Sequence, residues 1–241
     1  MIGAMSRAIK DKEAEAFKAL KYYRQYLVVG GMPECVKQYV ETKDFNLIRN
    51  TQAMILESYL SDMSKYNTNN EIKKTRSVYS SATVQLSKKN TQFQYKLVKK
   101  GGRASEFENA IEWLSLSGIV SKIYMVEQIT KPLENYKNID AFKIYANDVG
   151  LLCAKKNIIP SDILFDSSDL NDFKGGMAEN YVLSQLKCSG FTSYYWNSSN
   201  KAELDFIIQK DGKIIPIEVK SADNTQAKSL KVYMKKYEPV S

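Results

Sequence analysis

Four ionisable residues in the last third of the chain, Glu179, Asp205, Glu218 and Lys220, have the types and spacing of a site that holds a divalent cation and hydrolyses a phosphodiester. Glu179 shares a helical face with Val182, Leu183 and Leu186, at i+3, i+4 and i+7, so a carboxylate is aimed along an apolar stripe. Asp205 and Glu218 fall on successive strands. Alternation sets Leu204, Phe206 and Ile208 on one side and Asp205 with Ile207 on the other; it sets Ile215, Ile217 and Val219 against Glu218 and Lys220. Residues i and i+2 on a strand lie roughly 6.5 to 7 Å apart, and a paired strand lies about 4.8 Å away. Asp205, Glu218 and Glu179 are therefore the candidate metal ligands. Their hard oxygen donors suit Mg²⁺ or Mn²⁺. Lys220 is the candidate catalytic lysine, placed to orient the attacking water and to offset charge on the phosphate. Any one pair of these residues reads as a surface or salt-bridge pair; the four together point to a metal site. Glu203, at the strand entrance, is given no role.

The composition fits this chemistry. The chain contains no histidine, which excludes the Ser-His and Cys-His nucleophile systems and the usual zinc ligand. Water activated on an oxygen-ligated cation needs none.

The elements that must position the four residues read as αβββα: a helix over Met177 to Cys188, strands over Thr192 to Asn197, Glu203 to Gln209 and Lys213 to Lys220, and a helix over Asn224 to Tyr237. Asp211-Gly212 predicts a hairpin between the last two strands. Pro216 predicts a bulge or pairing on one side only. Upstream, amphipathic helices are expected over Lys12 to Val29, Pro33 to Val40, a segment capped by Asp44, and Asn70 to Leu86. Ser105 and Glu108 read as a capping box for a helix that Gly118 stops. Two strands follow, Ile119 to Val126 and Phe142 to Tyr145. Helices followed by a two-stranded ribbon are the pattern of a winged helix, a module that either binds DNA or serves as a packing and protein-contact unit. The polar, acidic stretch from Ile159 to Phe173 reads as a linker. The expectation is thus an α+β chain: a helical and winged-helix domain over residues 1–158, a linker over 159–174, and the αβββα domain over 175–241.

A formal charge of +8 points to a polyanionic partner. Residues 71–103 hold nine basic side chains (Lys73, Lys74, Arg76, Lys88, Lys89, Lys96, Lys99, Lys100 and Arg103) against one acid, Glu71. They read as a solvated face or as a nucleic-acid contact, with Lys73, Lys74, Arg76, Lys96, Lys99, Lys100 and Arg103 as the candidate nucleic-acid-binding set. No apolar run reaches the roughly 20 residues of a membrane span and no secretory leader is evident, so a cytoplasmic protein without a membrane partner is expected. Cys35, Cys153 and Cys188, odd in number and far apart, are expected as small core residues.

Gly175-Gly176-Met177-Ala178-Glu179-Asn180-Tyr181, Glu203-Leu204-Asp205-Phe206 and Ile217-Glu218-Val219-Lys220-Ser221 resemble the C-terminal nuclease-like domain of unknown function attached to prokaryotic AAA-type ATPases. Gly30-Gly31-Met32-Pro33-Glu34, Ser58 to Tyr66, Arg103 to Leu114 and Phe142 to Leu152 are similar to the helical and winged-helix segments that follow the ATPase core there. The resemblance covers nearly the whole chain. It implies a restriction-endonuclease-like PD-(D/E)XK domain, metal-dependent cleavage of DNA, and an N-terminal ATPase module as partner. The chain departs from the family in having no GxxxxGK[ST] stretch, since Lys100-Gly101-Gly102-Arg103 lacks the spacing and the hydroxyl residue; no ATP site is expected. The family core resembles αβββαβ, so a strand after the last helix is expected to be missing, with an exposed sheet edge as the consequence. A second function of a different class is a non-catalytic nucleic-acid or protein-binding module that regulates or targets the ATPase. A third is a structural regulator with a vestigial metal site.

Overall fold

A computed structural model describes residues 2–65, 68–87, 92–198, 202–221 and 227–237, without the side chains of residues 2–13 and 87. Lys88 and Lys89 of the basic segment, and the expected start of the last helix at Asn224, lie outside the described residues. The chain divides into two compact units, Met1–Leu56 with Asp148–Leu170, and Glu57–Asn147 with Asn171–Ser241.

The first unit is helical. It contains α1 (Ile2–Val29), α2 (Pro33–Thr42), the start of α3 (Phe45–Lys65), α6 (Val149–Lys155) and α7 (Pro160–Leu164). Asp44 caps α3 as expected: its Oδ1 accepts from the backbone N–H of Asn46 at 2.8 Å. Residues 159–174 do not form a linker. They hold α7, a 3₁₀ turn at Ser168–Leu170 and the first residues of α8 (Asn171–Cys188). The acidic residues there lie on the outside of short helices, while Ile163, Leu170 and Phe173 are buried.

The second unit joins α4 (Asn69–Ser87), α5 (Ala104–Leu116), α8 and α9 (Lys228–Tyr237) to a mixed five-stranded sheet. Its strands are β1 (Val120–Val126), β2 (Lys137–Ala146), β3 (Ser193–Asn197), β4 (Glu203–Lys210) and β5 (Lys213–Ile217), in the order β2-β1-β3-β4-β5. The ribbon β1/β2 is antiparallel, but it does not stand alone: β1 also pairs with β3 in parallel. The strands on either side of the expected linker therefore belong to one sheet. The α5 cap differs from expectation, because the helix begins at Ala104 after Arg103 and Ser105 is already helical. Glu106 in its first turn pairs with Lys99.

The β4-β5 hairpin forms at Asp211-Gly212, where φ is 49° and 72° at the two turn residues, as a tight turn of primed type requires. Pro216 lies opposite Ile207 in the terminal strand of the sheet, where its missing N–H breaks no ladder. The β5 ladder ends at Ile217, so Glu218, Val219 and Lys220, expected within the strand, follow it instead. The backbone leaves the ladder because the N–H of Val219 donates to the Asp205 carboxylate at 2.7 Å.

The two faces of the sheet have separate cores. Ile123, Tyr145, Tyr195 and Phe206 pack with Leu183 of α8, and Val182, Leu186, Ile217 and Val219 border them. Val126, Tyr194, Trp196, Leu204 and Ile207 pack with Tyr233 of α9 on the other face. Each large side chain withdrawn from water in this way contributes about 1.5–3 kcal/mol. Cys35 and Cys153 are buried in the first unit, as expected, but Cys188 at the end of α8 is exposed. Among the described residues no helix is long and apolar enough to cross a membrane.

Candidate functional site

A β-bulge decides where Asp205 points. Tyr194 is opposite Ile207 and Trp196 is opposite Leu204, so Asp205 and Phe206 together face the single residue Tyr195. The extra residue turns Asp205 and Phe206 to the same side, the α8 side. Leu204 and Ile207 remain in the α9 core. The uninterrupted alternation expected from the sequence, with Asp205 sharing a side with Ile207, fails at this bulge.

Glu179 is carried to the same side by α8. Its neighbour Asn180 is fully buried and clamps the end of β2, accepting from the N–H of Ala146 at 2.9 Å and donating to its carbonyl at 3.1 Å. Tyr145, on β2, donates its hydroxyl to Glu179 Oε2 at 2.9 Å. Burial and the nearby Glu179 charge push the Asp205 carboxyl up to about 6, against the opposing effects of the Val219 N–H, Lys143 and Lys220. Glu179 and Asp205 are therefore brought together, with Lys220 close enough to act on Asp205.

Glu218 is not brought to them. It lies between Ile217 and Val219, which face α8, and its own side chain turns to α9. There Oε2 accepts from the N–H of Leu230, in the first turn of α9, at 3.1 Å, and Oε1 pairs with Lys220. A carboxylate at a helix N-terminus satisfies an orphan donor and faces the positive end of the dipole. Among the described residues no three acidic or thiol groups stand as a ready-made metal cage.

Two residues without a sequence-predicted role complete the cluster. Lys143 on β2 pairs with Glu203, and its Nζ stands 5.2 Å from the centre of the Tyr195 ring. Burial pulls the Lys143 ammonium down, but Glu203, Glu179 and Asp205 together hold it above the usual lysine range. Burial raises Glu203 despite its Lys143 partner. Glu203 had a signal in the sequence: it precedes Asp205 by two residues and so shares its face of the strand. Lys143 had none, being 60 residues from its partner.

The basic set is distributed differently. Lys73, Arg76, Lys96, Lys99, Lys100 and Arg103 are exposed. Lys74 pairs with Glu71, and Lys99 with Glu106. Arg76 donates to the Leu60 carbonyl and the Ser64 hydroxyl, which ties it to the C-terminal turns of α3.

Residues 20–162, more than half of the chain, match the family model of a domain of unknown function, DUF8612. The chain belongs to the DUF8612 family. Residues 174–241 match a second domain of unknown function, DUF4143, typically a C-terminal region in AAA-ATPase-like proteins. Neither the curated proteins nor the solved structures contain a match to this chain. The DUF8612 segment supplies β1 and β2 with Lys143 and Tyr145; the DUF4143 segment supplies α8 and β3 to β5 with Glu179, Glu203, Asp205 and Lys220. The cluster is built from both.

Proposed function

We propose that the second unit is a divalent-metal-dependent nuclease-like module of the PD-(D/E)XK type, cleaving phosphodiesters of DNA and operating with an AAA-type ATPase partner. The observation that carries the proposal is the bulge that turns Asp205 toward Glu179, giving two carboxylates on a half-buried, lysine-flanked face. Such a pair fits Mg²⁺ or Mn²⁺, which need one or two carboxylates and complete their shell with water and phosphate. The hydroxyl of Tyr195 supports the fit: it is buried beside this face with no hydrogen-bond partner among the described residues, so a further polar group has a place there.

Glu179 and Asp205 would hold the ion. When bound, it supplies positive charge against the negative charge that builds on the phosphate. Tyr145 fixes the Glu179 carboxylate, and Lys220 offers an ammonium to a phosphate oxygen. The helix-plus-ribbon segment α4-α5-β1-β2 is read as a winged helix that presents DNA, with Lys73, Arg76, Lys96, Lys99, Lys100 and Arg103 among its exposed cations.

The test is nicking of supercoiled plasmid by the full chain in Mg²⁺ or Mn²⁺. Cleavage is expected to vanish in chelator and in Asp205→Ala and Glu179→Gln. Cleavage that survives both substitutions would assign the activity to a contaminant.

A second reading has its own support, in that Glu218 serves α9 and no ready-made three-carboxylate cage is present among the described residues. In that reading the module grips nucleic acid without cutting it. Salt-dependent DNA binding unchanged in Asp205→Ala, with no cleavage, would favour it.

A further inference from the structure

Lys143 has no part in the mechanism above, yet its side chain is only 11% exposed. A long cationic side chain so enclosed needs compensation, because an unpaired buried charge is costly. Three carboxylates provide it. Glu203 pairs with Lys143 directly. Asp205 lies two residues along β4 from Glu203, as the first of the bulged residue pair. Glu179 is held by Tyr145, which lies two residues along β2 from Lys143 on the same face. The ammonium is thus set at the meeting point of α8, β2 and β4, over the Tyr195 ring. Without it the three carboxylates would repel one another.

We propose that Lys143 is the resident counter-ion of the Glu179, Glu203 and Asp205 cluster, latching Glu203 so that a divalent cation must compete with its ammonium for that third carboxylate. This rests on the reading of Glu179 and Asp205 as metal ligands. With the latch closed, a cation meets two available carboxylates and a nearby positive charge, and binds weakly. With the latch open, Glu203 joins as a third ligand and the repulsion is gone. The latch comes from the DUF8612 segment and the ligands from the DUF4143 segment, so one segment sets the metal affinity of the other.

Calorimetric titration of the full chain with Mn²⁺ tests this. Lys143→Met is expected to bind about tenfold more tightly than the unsubstituted protein, since a unit charge a few ångströms from the ion is removed and a ligand is gained. Glu203→Gln alone is expected to change the affinity little, whereas Lys143→Met/Glu203→Gln loses the gain. Asp205→Asn abolishes binding in every background. Should Lys143→Met unfold in chelator, millimolar Mn²⁺ is expected to restore a cooperative melting transition. If Mn²⁺ binds the unsubstituted protein and Lys143→Met binds no tighter, or fails to refold with Mn²⁺, the latch is wrong and the metal reading stands. If Mn²⁺ binds neither protein, or binds equally well after Asp205→Asn, both fall.

Discussion

The two units each draw an aspartate and a basic residue partly or wholly out of solvent, and they use them in opposite ways. In the first unit, Asp148 accepts from the N–H of Gly31 at 2.6 Å and from that of Leu151 at 2.8 Å. Arg49 donates to the carbonyls of Gly150 and Ile158, and Gln52 donates to those of Val28 and Val29. Most of these polar arms end on backbone, where they fasten the Gly30-Gly31 break after α1 to the start of α6. In the second unit, Asp205 takes one backbone N–H and otherwise faces charged side chains, Glu179 on one side and Lys143 and Lys220 on the other. A buried charge satisfied by backbone stabilises a chain path. One balanced only by other charges is a site whose balance a ligand can change.

The fastening in the first unit is most sensitive at Gly30. Its φ is +76°, and a Cβ there would meet Asp148 Oδ1 at 2.2 Å. Gly30→Ala is expected to lower unfolding free energy by about 3 to 4 kcal/mol, from left-handed strain and overlap together. Asp148→Ala is expected to cost about 2 to 3 kcal/mol by orphaning two N–H groups. The double variant should cost less than the sum, since Asp148→Ala removes the atoms that the new methyl meets. Urea titration measures all three; strict additivity would mean that the aspartate does not hold the glycine turn.

The same kind of substitution in the second unit is expected to have the opposite sign. Asp205 has a folded-state pKa of about 6 against an ordinary 3.8, so the folded protein binds its proton more tightly than the unfolded chain does. Its contribution to stability is fully present below about pH 4 and is lost as pH rises through about 6. Glu203, also raised, adds to the same slope. Asp205→Asn keeps an acceptor for the Val219 N–H and removes the like charge. It should stabilise the protein at neutral pH by on the order of 1 to 2 kcal/mol and flatten the fall in stability between pH 4 and 6. Melting temperatures across that range, measured without metal, would show it. A destabilised Asn variant would place Asp205 with Asp148 among the fastening residues.

What could be read in the sequence followed the range of the interaction. The Asp44 cap, the Asp211-Gly212 turn and the place of Pro216 in the terminal strand are set by near neighbours, and their residue types carry the signal. Asp205 was visible as a candidate, but its direction depends on which residue of β3 it opposes, and no pattern within β4 contains the bulge. Lys143 and Tyr145 are 60 and 34 residues from Glu203 and Glu179, on a ribbon that the sequence suggests is a separate module. The parallel β1-β3 pairing that brings them to the site has no local signature. Polarity made residues 159–174 look like a linker because the buried positions there, Ile163, Leu170 and Phe173, are few and belong to three separate elements, so no one helix shows its period within the stretch.

Glu218 gives the smallest and sharpest test of the division. Sequence spacing groups it with Asp205, whereas its bonds group it with the fastening residues, one oxygen on the Leu230 N–H and the other on Lys220. Glu218→Gln retains an oxygen for the Leu230 N–H and loses the charge at the α9 N-terminus. Its expected cost is about 0.5 to 1 kcal/mol, read as a small downward shift in melting temperature. Mn²⁺ affinity should stay within about twofold of the unsubstituted protein, because the carboxylate faces α9 rather than Glu179 and Asp205. A loss of Mn²⁺ binding as large as that of Asp205→Asn would show that Glu218 leaves α9 for the cluster when an ion arrives. The Leu230 N–H would then become orphaned on metal binding, and hydrogen exchange at the start of α9 should speed up in Mn²⁺.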